Sequence, residues 1–353
     1  MKTDHILIIR FSAIGDVAMT VPVVYSLAKQ YPHIRITVLS RPYARPFFDK
    51  LASNVGFMEA DIKGEYNGIS GLNSLYSRLE AKQFTAIADF HGVIRSEYLR
   101  MRFNIGPYRV EHINKHRAGK KALTSFKNKK LEQQPTSFEN YAEVLAKLGY
   151  PIKLDYPGMF PPEGGNMRLL ESKNIIKKKS FQEWIGVAPF AGHPGKIYPL
   201  DKMEVVIQNI IIKHPSCRIF LFGGGEKEMK KFHEWTEKYI QCTCVADEIK
   251  GMDKELILMS HLDVMVSMDS ANMHLASIVN TPVVSVWGAT HPFGGFMGWN
   301  QDINNAVQLD ISCRPCSIYG NKKCLRGDFI CMKNITPEMI NDRVEIVLKK
   351  AIK

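Results

Sequence analysis

Strand-length apolar runs that end in small or acidic residues and lead into helix-period segments recur along this chain, and that recurrence restricts it to an α/β fold on parallel sheets. The first run is ILIIRF (6–11), followed by the turn Ser12-Ala13-Ile14-Gly15 and by Asp16, where a helical pattern opens. Val17, Val21, Val24 and Leu27 keep helical spacing until Tyr31-Pro32. ITVLS (36–40) then completes a βαβ unit, and FMEAD (57–61) and FTAIADF (84–90) supply further strands. From Pro151 to Gly165 four prolines and three glycines interrupt the pattern, as a linker does. It then restarts with IGVAPF (185–190), RIFLFGGG (218–225), CTCVAD (242–247), VMVSMD (264–269) and PVVSVWG (282–288). Helical stretches near 201–213, 226–239, 253–260 and 270–279 alternate with these runs, and a last helix is expected over 337–350.

The 353 residues suit two domains, each large enough for its own core. Two doubly wound halves are therefore expected to face a cleft, with ligands beyond the carboxyl ends of the strands. The net charge of +12 is uneven: residues 1–160 carry 23 Lys/Arg against 14 Asp/Glu, whereas residues 161–353 carry 24 against 21. The densest basic run, Lys115 to Lys130, suits an anionic membrane, a phosphorylated substrate or nucleic acid, or is a solvated loop. With no apolar stretch long enough to span a membrane and no signal-peptide pattern at the start, a cytoplasmic protein is expected. Seven cysteines do not make a secreted disulfide framework.

Several turns carry groups suited to chemistry. Asp16 places a carboxylate where a strand hands over to a helix, as a candidate for chemistry or as a plain helix cap. The turn lacks GxGxxG, which counts against a nicotinamide enzyme. PFAGHPGKIYP (189–199) follows a strand and brings Lys196 to a loop of small residues, but Ile197 after the lysine breaks the P-loop spacing and ATP hydrolysis is not supported. GGGEKE (223–228) puts Glu226 at a helix entrance, and MDSANMHLAS (268–277) puts Asp269, Ser270 and Ala271 at another, with His274 a turn later. A helix N-terminus offers free N–H groups and a positive dipole end to a phosphate. Cys313, Cys316, Cys324 and Cys331 fall within 19 residues, enough thiols for a structural zinc, but their spacing departs from paired CxxC and reduced packing cysteines are the default reading.

Taken in order, RFSAIGDVAMTVPVVYSL, PFAGHPGKIYPLDKM, GGGEKE and MDSANMHLASIVNTPVVSVWGATHP resemble glycosyltransferase family 9, the lipopolysaccharide heptosyltransferases, over about residues 5 to 340. The resemblance implies a GT-B fold of two Rossmann-like domains: an N-terminal acceptor domain (1–160), a C-terminal nucleotide-sugar donor domain (161–335), and a C-terminal helix (336–353) packing back toward the N-terminal domain. It implies inverting, metal-independent transfer from an ADP-sugar, usually ADP-heptose, to the inner core of lipopolysaccharide or a lipid A-Kdo acceptor. Asp16 then matches the catalytic base. Lys196 and Glu226 match donor phosphate and ribose ligands, and Asp269, Ser270, Ala271 and His274 match the segment around the donor sugar and diphosphate. Arg10 matches a basic position beside the base; Arg95 and Lys120, on the basic surface of residues 95–130, would attract the acceptor.

No cofactor is implied, since the ADP-sugar is a substrate, and no zinc is expected at the cysteines. The expected partners are the donor, an anionic glycolipid and the cytoplasmic face of the inner membrane, touched peripherally, with no nucleic acid. Three departures concern the substrates more than the fold: Ala271 stands where glycine is usual, Phe190-Ala191 replace small hydroxylated residues, and His91 replaces a common glutamine. The competing readings are a transferase or epimerase using another nucleotide sugar, an NAD-dependent oxidoreductase, and a non-catalytic protein binding anionic lipid or nucleic acid.

Overall fold

A computed structural model describes residues 3–351. The chain forms two compact units. One comprises residues up to Lys115 together with Pro135–Pro157, and the other comprises His116–Gln134 with everything from Gly158 onward.

The first unit holds five parallel strands: β1 (His5–Ile9), β2 (Arg35–Ser40), β3 (Val55–Glu59), β4 (Ala86–Asp89) and β5 (Arg109–His112), in the order β3-β2-β1-β4-β5. Every residue of β1 and β4 is buried, as expected of central strands in a parallel sheet covered on both faces. Leu7, Ile9, Leu39 and Ile87 pack with Leu75, Leu79, Leu99 and Phe103 from covering helices.

The second unit holds β6 (Trp184–Ala188), β7 (Arg218–Leu221), β8 (Cys242–Cys244), β9 (Val264–Met268), β10 (Val283–Trp287) and β11 (Ala306–Gln308), all parallel, in the order β11-β10-β9-β6-β7-β8. Helices Leu200–Lys213, Glu226–Lys238, Met252–Met259 and Ala271–Ile278 follow β6, β7, β8 and β9. The chain enters this unit at Gly158, whose φ of +111° and closeness to the Asn280 side chain leave no room for a Cβ.

In the second unit the C-terminal helix Pro337–Ala351 sends its apolar stripe, Ile340, Val344, Val347 and Leu348, into the core with Ile207, Ile210 and Val284. One expectation about organisation is corrected. The basic segment that includes Lys120 belongs to the second unit although it precedes the linker. Lys120 Nζ lies 4.6 Å over the Phe296 ring, Gln134 N donates to Phe293 O at 2.8 Å, and Lys129 Nζ donates to Ser312 O and Pro315 O, both at 3.1 Å. Aromatic and carbonyl partners in the second unit thus hold what the sequence order assigned to the first.

Candidate active site

Each sheet reverses its winding direction once, between β1 and β4 in the first unit and between β6 and β9 in the second. Loops leaving the carboxyl ends of strands diverge at such a switch point and leave a crevice between them. Arg10 and Asp16 lie at the first, and Lys196 and Asp269 at the second.

In the first unit, β1 ends at Ile9, and Arg10 turns inward, 8% exposed. Its Nη1 donates to Phe90 O at 2.7 Å, beyond the end of β4, and its Nη2 meets Asp16 Oδ2 at 2.6 Å. Asp16 is not the cap of its helix: Ala13 is, and Asp16 is the third residue of the short helix Ile14–Ala18. From there its Oδ2 also accepts from Ala13 N at 3.0 Å. The expected single helix is in fact two, Ile14–Ala18 and Val21–Gln30, so Asp16 sits on a one-turn segment facing the strand ends. Burial opposes the charge of Arg10, but Tyr141 and Asp16 outweigh it and hold the guanidinium above its ordinary pKa.

β4 supplies the other wall. Asp89, fully buried, accepts at Oδ1 from His91 N and Gly92 N, both at 2.9 Å, and so fixes the turn. Burial, helped by the charge of Arg10, lowers the pKa of His91 to about 3. A neutral imidazole follows, with Nδ1 accepting from Phe11 N at 3.4 Å and Nε2 facing Ser12 Oγ at 3.5 Å. Tyr141 stacks on Phe90 at 4.6 Å, and Tyr43 donates to Phe11 O at 3.2 Å. Sequence reasoning passed over Asp89, Tyr141 and Tyr43. Only Asp89 had a local signal, as the acidic end of an apolar run.

In the second unit, the loop after β6 carries Lys196 in the turn Pro194–Lys196, and its Nζ meets Asp269 Oδ2, at the end of β9, at 3.1 Å. Asp269 is 5% exposed. The Lys196 stem runs so close over Gly320, at φ +77°, that a Cβ there would lie 2.4 Å from Lys196 Cδ. Gly195 O accepts from Ala289 N at 2.9 Å, and Ala289 O accepts from Cys316 N at 3.0 Å. The cysteine segment thereby backs the lysine loop.

Ser270 caps the helix Ala271–Ile278 in extended conformation without a side-chain cap bond, its Oγ lying 3.3 Å from Ser267 Oγ. Ala271 is the first helical residue, and His274, 6% exposed, completes the first turn. Glu226 is exposed at the start of the helix after the glycine turn, whereas Glu228 accepts from Gly224 N at 2.8 Å and organises that turn. The seven cysteines are free thiols. Between Cys313 and Cys316, Arg314 is buried against the carbonyls of Gly288, Thr290 and Leu309, and burial lowers its pKa to about 10.

The structure therefore pairs Arg10 with Asp16 in one unit and Lys196 with Asp269 in the other. Of the residues expected to meet the acceptor, Arg95 lies exposed in the first unit and Lys120 half-buried in the second, so the basic surface of residues 95–130 is divided between units.

Two doubly wound parallel units, each with charged groups at its switch point, are the architecture of the GT-B fold. The model of glycosyltransferase family 9 (heptosyltransferase) matches residues 72–324, and the chain belongs to that family. It is 24% identical over 353 residues to lipopolysaccharide heptosyltransferase 1 of Campylobacter coli, covering 95% of this chain and 96% of that one. It is also 24% identical to lipopolysaccharide heptosyltransferase 3 of Escherichia coli, covering 84% and 85%. Among solved structures, the ADP-heptose lipopolysaccharide heptosyltransferase II of Escherichia coli superposes with a TM-score of 0.70 at 19% identity, over 99% and 100% of the two chains. A family 9 glycosyltransferase from Veillonella parvula superposes at 0.72 and 17%, over 99% of each.

Proposed function

We propose that this protein transfers a heptose from ADP-heptose to a phosphorylated inner-core acceptor of lipopolysaccharide, with inversion at the anomeric carbon. The observation that carries the reading is the pair of opposite-sign constellations at the two switch points: Asp16 oriented by Arg10, and Lys196 paired with Asp269 just before a helix N-terminus that has no side-chain cap bond.

Asp16 takes the proton of the acceptor hydroxyl as its oxygen attacks the anomeric carbon. Arg10 and Ala13 N fix the carboxylate through Oδ2, so the base keeps one orientation. The bond from the sugar to ADP breaks on the opposite face and negative charge grows on the diphosphate. Lys196 and the N–H groups at Ser270 and Ala271 meet that charge from fixed positions, the preorganised arrangement that usually supplies the largest share of catalysis. His274 and Asp269 border the sugar, and Glu226 accepts from the ribose hydroxyls. The acceptor is polyanionic, and Arg95 and Lys120 draw it and the anionic membrane surface by charge, an attraction that weakens with salt. Among the described residues no helix is long and apolar enough to cross a membrane, so attachment at the cytoplasmic face would be peripheral.

The test is transfer from ADP-heptose to a Kdo-bearing lipid A acceptor, followed by ADP release, with UDP- and GDP-sugars as controls. ADP release that depends on the acceptor supports the reading; turnover of a UDP- or GDP-sugar alone would replace the donor.

A further inference from the structure

On the outer edge of the second sheet, away from β6 and β9, three side chains of different chemistry converge. β8 is three residues long and ends at Cys244, whose backbone caps the short helix Val245–Glu248. That turn brings Asp247 back beside the Cys244 thiol. The helix Glu226–Lys238 packs against β8 and contributes His233 and, one turn earlier on the same face, Met229. His233 Nε2 lies 2.9 Å from Asp247 Oδ2, Cys244 Sγ lies 3.8 Å from Met229 Sδ, and the thiol, imidazole and carboxylate ligand atoms all lie within 4.8 Å of one another.

We propose that Cys244, His233 and Asp247 form a binding site for a borderline-soft divalent cation of the zinc class, with water or the Met229 thioether in the fourth position. The donor set decides the class: a thiolate, an imidazole and one carboxylate suit zinc, whereas calcium and magnesium take oxygen ligands. Metal–ligand bonds of about 2.0–2.3 Å place tetrahedral donors about 3.3–3.8 Å apart. Reaching that spacing takes movements of about 1 Å, and His233 and Asp247, about half exposed, have room to make them. Cys244, 3% exposed, is the fixed ligand. As the sulfur–metal bond forms, the thiol proton leaves to solvent, so the ion replaces a proton and no electron is transferred. The bound cation ties the helix that follows the glycine turn to the edge strand of the sheet.

The test uses the full chain, freed of metal with a chelator and titrated with Co²⁺, whose bond to a thiolate gives a charge-transfer absorption. Because Cys313, Cys316, Cys324 and Cys331 also offer thiols, the reference is the variant with all four changed to Ser. One equivalent of Co²⁺ with charge-transfer absorption is expected there. Cys244→Ser should abolish the absorption, and His233→Ala and Asp247→Asn should each weaken binding roughly tenfold or more. Absence of the absorption, or identical titrations with and without His233, would overturn the site. If the fourfold variant or Cys244→Ser does not fold, the surface variants His233→Ala and Asp247→Asn in the natural chain decide it: each must weaken one equivalent of Co²⁺ binding roughly tenfold or more, and a titration unchanged in affinity refutes the proposal.

Discussion

The two switch points share a topology and carry opposite polarity. In the first unit the cation is the more buried partner, the Arg10 side chain being 10% exposed against 30% for Asp16. In the second the carboxylate is, with Asp269 at 7% against 15% for Lys196. Each pair orients the partner that solvent and substrate can reach, so one unit presents a carboxylate and the other an ammonium. In the proposed function, a base for an acceptor hydroxyl and a counter-charge for a leaving diphosphate would arise from the same scaffold by exchanging which member of an ion pair is buried.

Removing the presented group is the strongest way to break that comparison. Asp16→Asn keeps the shape and deletes the base, and turnover should fall roughly 10²–10⁴-fold while ADP affinity stays the same, since no part of the proposed ADP pocket changes. Steady-state transfer and calorimetric ADP titration read the two halves of this statement; unchanged turnover ends the assignment of Asp16. In the second unit Lys196→Ala should weaken ADP binding roughly 10- to 150-fold, the value of a charge-assisted contact of about 1.5–3 kcal/mol. Equal loss of ADP binding in both variants would mean that the two switch points are not divided between acceptor and donor.

The first unit should also respond to acid through His91. Its folded pKa of about 3 lies below the ordinary value of 6.5, so the unfolded chain takes up a proton there that the folded chain refuses. The contribution is intact above pH 6.5 and is lost as pH falls toward 3. Between pH 7 and pH 5 it amounts to about 2 kcal/mol. Urea unfolding at the two pH values should show that His91→Gln loses less stability on acidification than the natural protein, and parallel losses would show that His91 is not held neutral.

Legibility in the sequence followed locality. The run ILIIRF, the turn to Asp16, and the strands ending at Ala188 and Met268 were readable because burial on both faces of a parallel sheet leaves continuous apolar stretches. β5, RVEH, is partly exposed at a sheet edge and β11 is three residues long, so neither leaves such a stretch. The helix Ile94–Asn104 has three arginines and a glutamate that mask its apolar face. Membership of His116–Gln134 in the second unit rests on Phe293, Phe296 and Ser312, far along the chain, and no local pattern encodes it. Arg10 was readable beside Asp16, six residues away, whereas the pairing of Lys196 with Asp269 joins the loops after β6 and β9 and is a product of strand order.

The smallest expected effect separates two neighbouring glutamates and thereby sharpens where the donor site of the second unit ends. Glu226 is exposed and bound to the ribose in the proposed scheme; Glu228 accepts from Gly224 N and, by its position, would meet a Cβ at Gly223 within 2.4 Å. Glu226→Gln should therefore weaken ADP binding by a few-fold, about the 0.5–1.5 kcal/mol of one hydrogen bond, at unchanged melting temperature. Glu228→Gln keeps an acceptor oxygen but loses the charge that strengthens its bond to Gly224 N, so it should lower the melting temperature slightly and disturb ADP binding only through the shape of the turn. Calorimetry and thermal melts on the two variants separate these outcomes. If Glu228→Gln weakens ADP as much as or more than Glu226→Gln, the turn rather than a ribose contact governs this edge of the site, and the role given to Glu226 passes to the backbone that Glu228 holds.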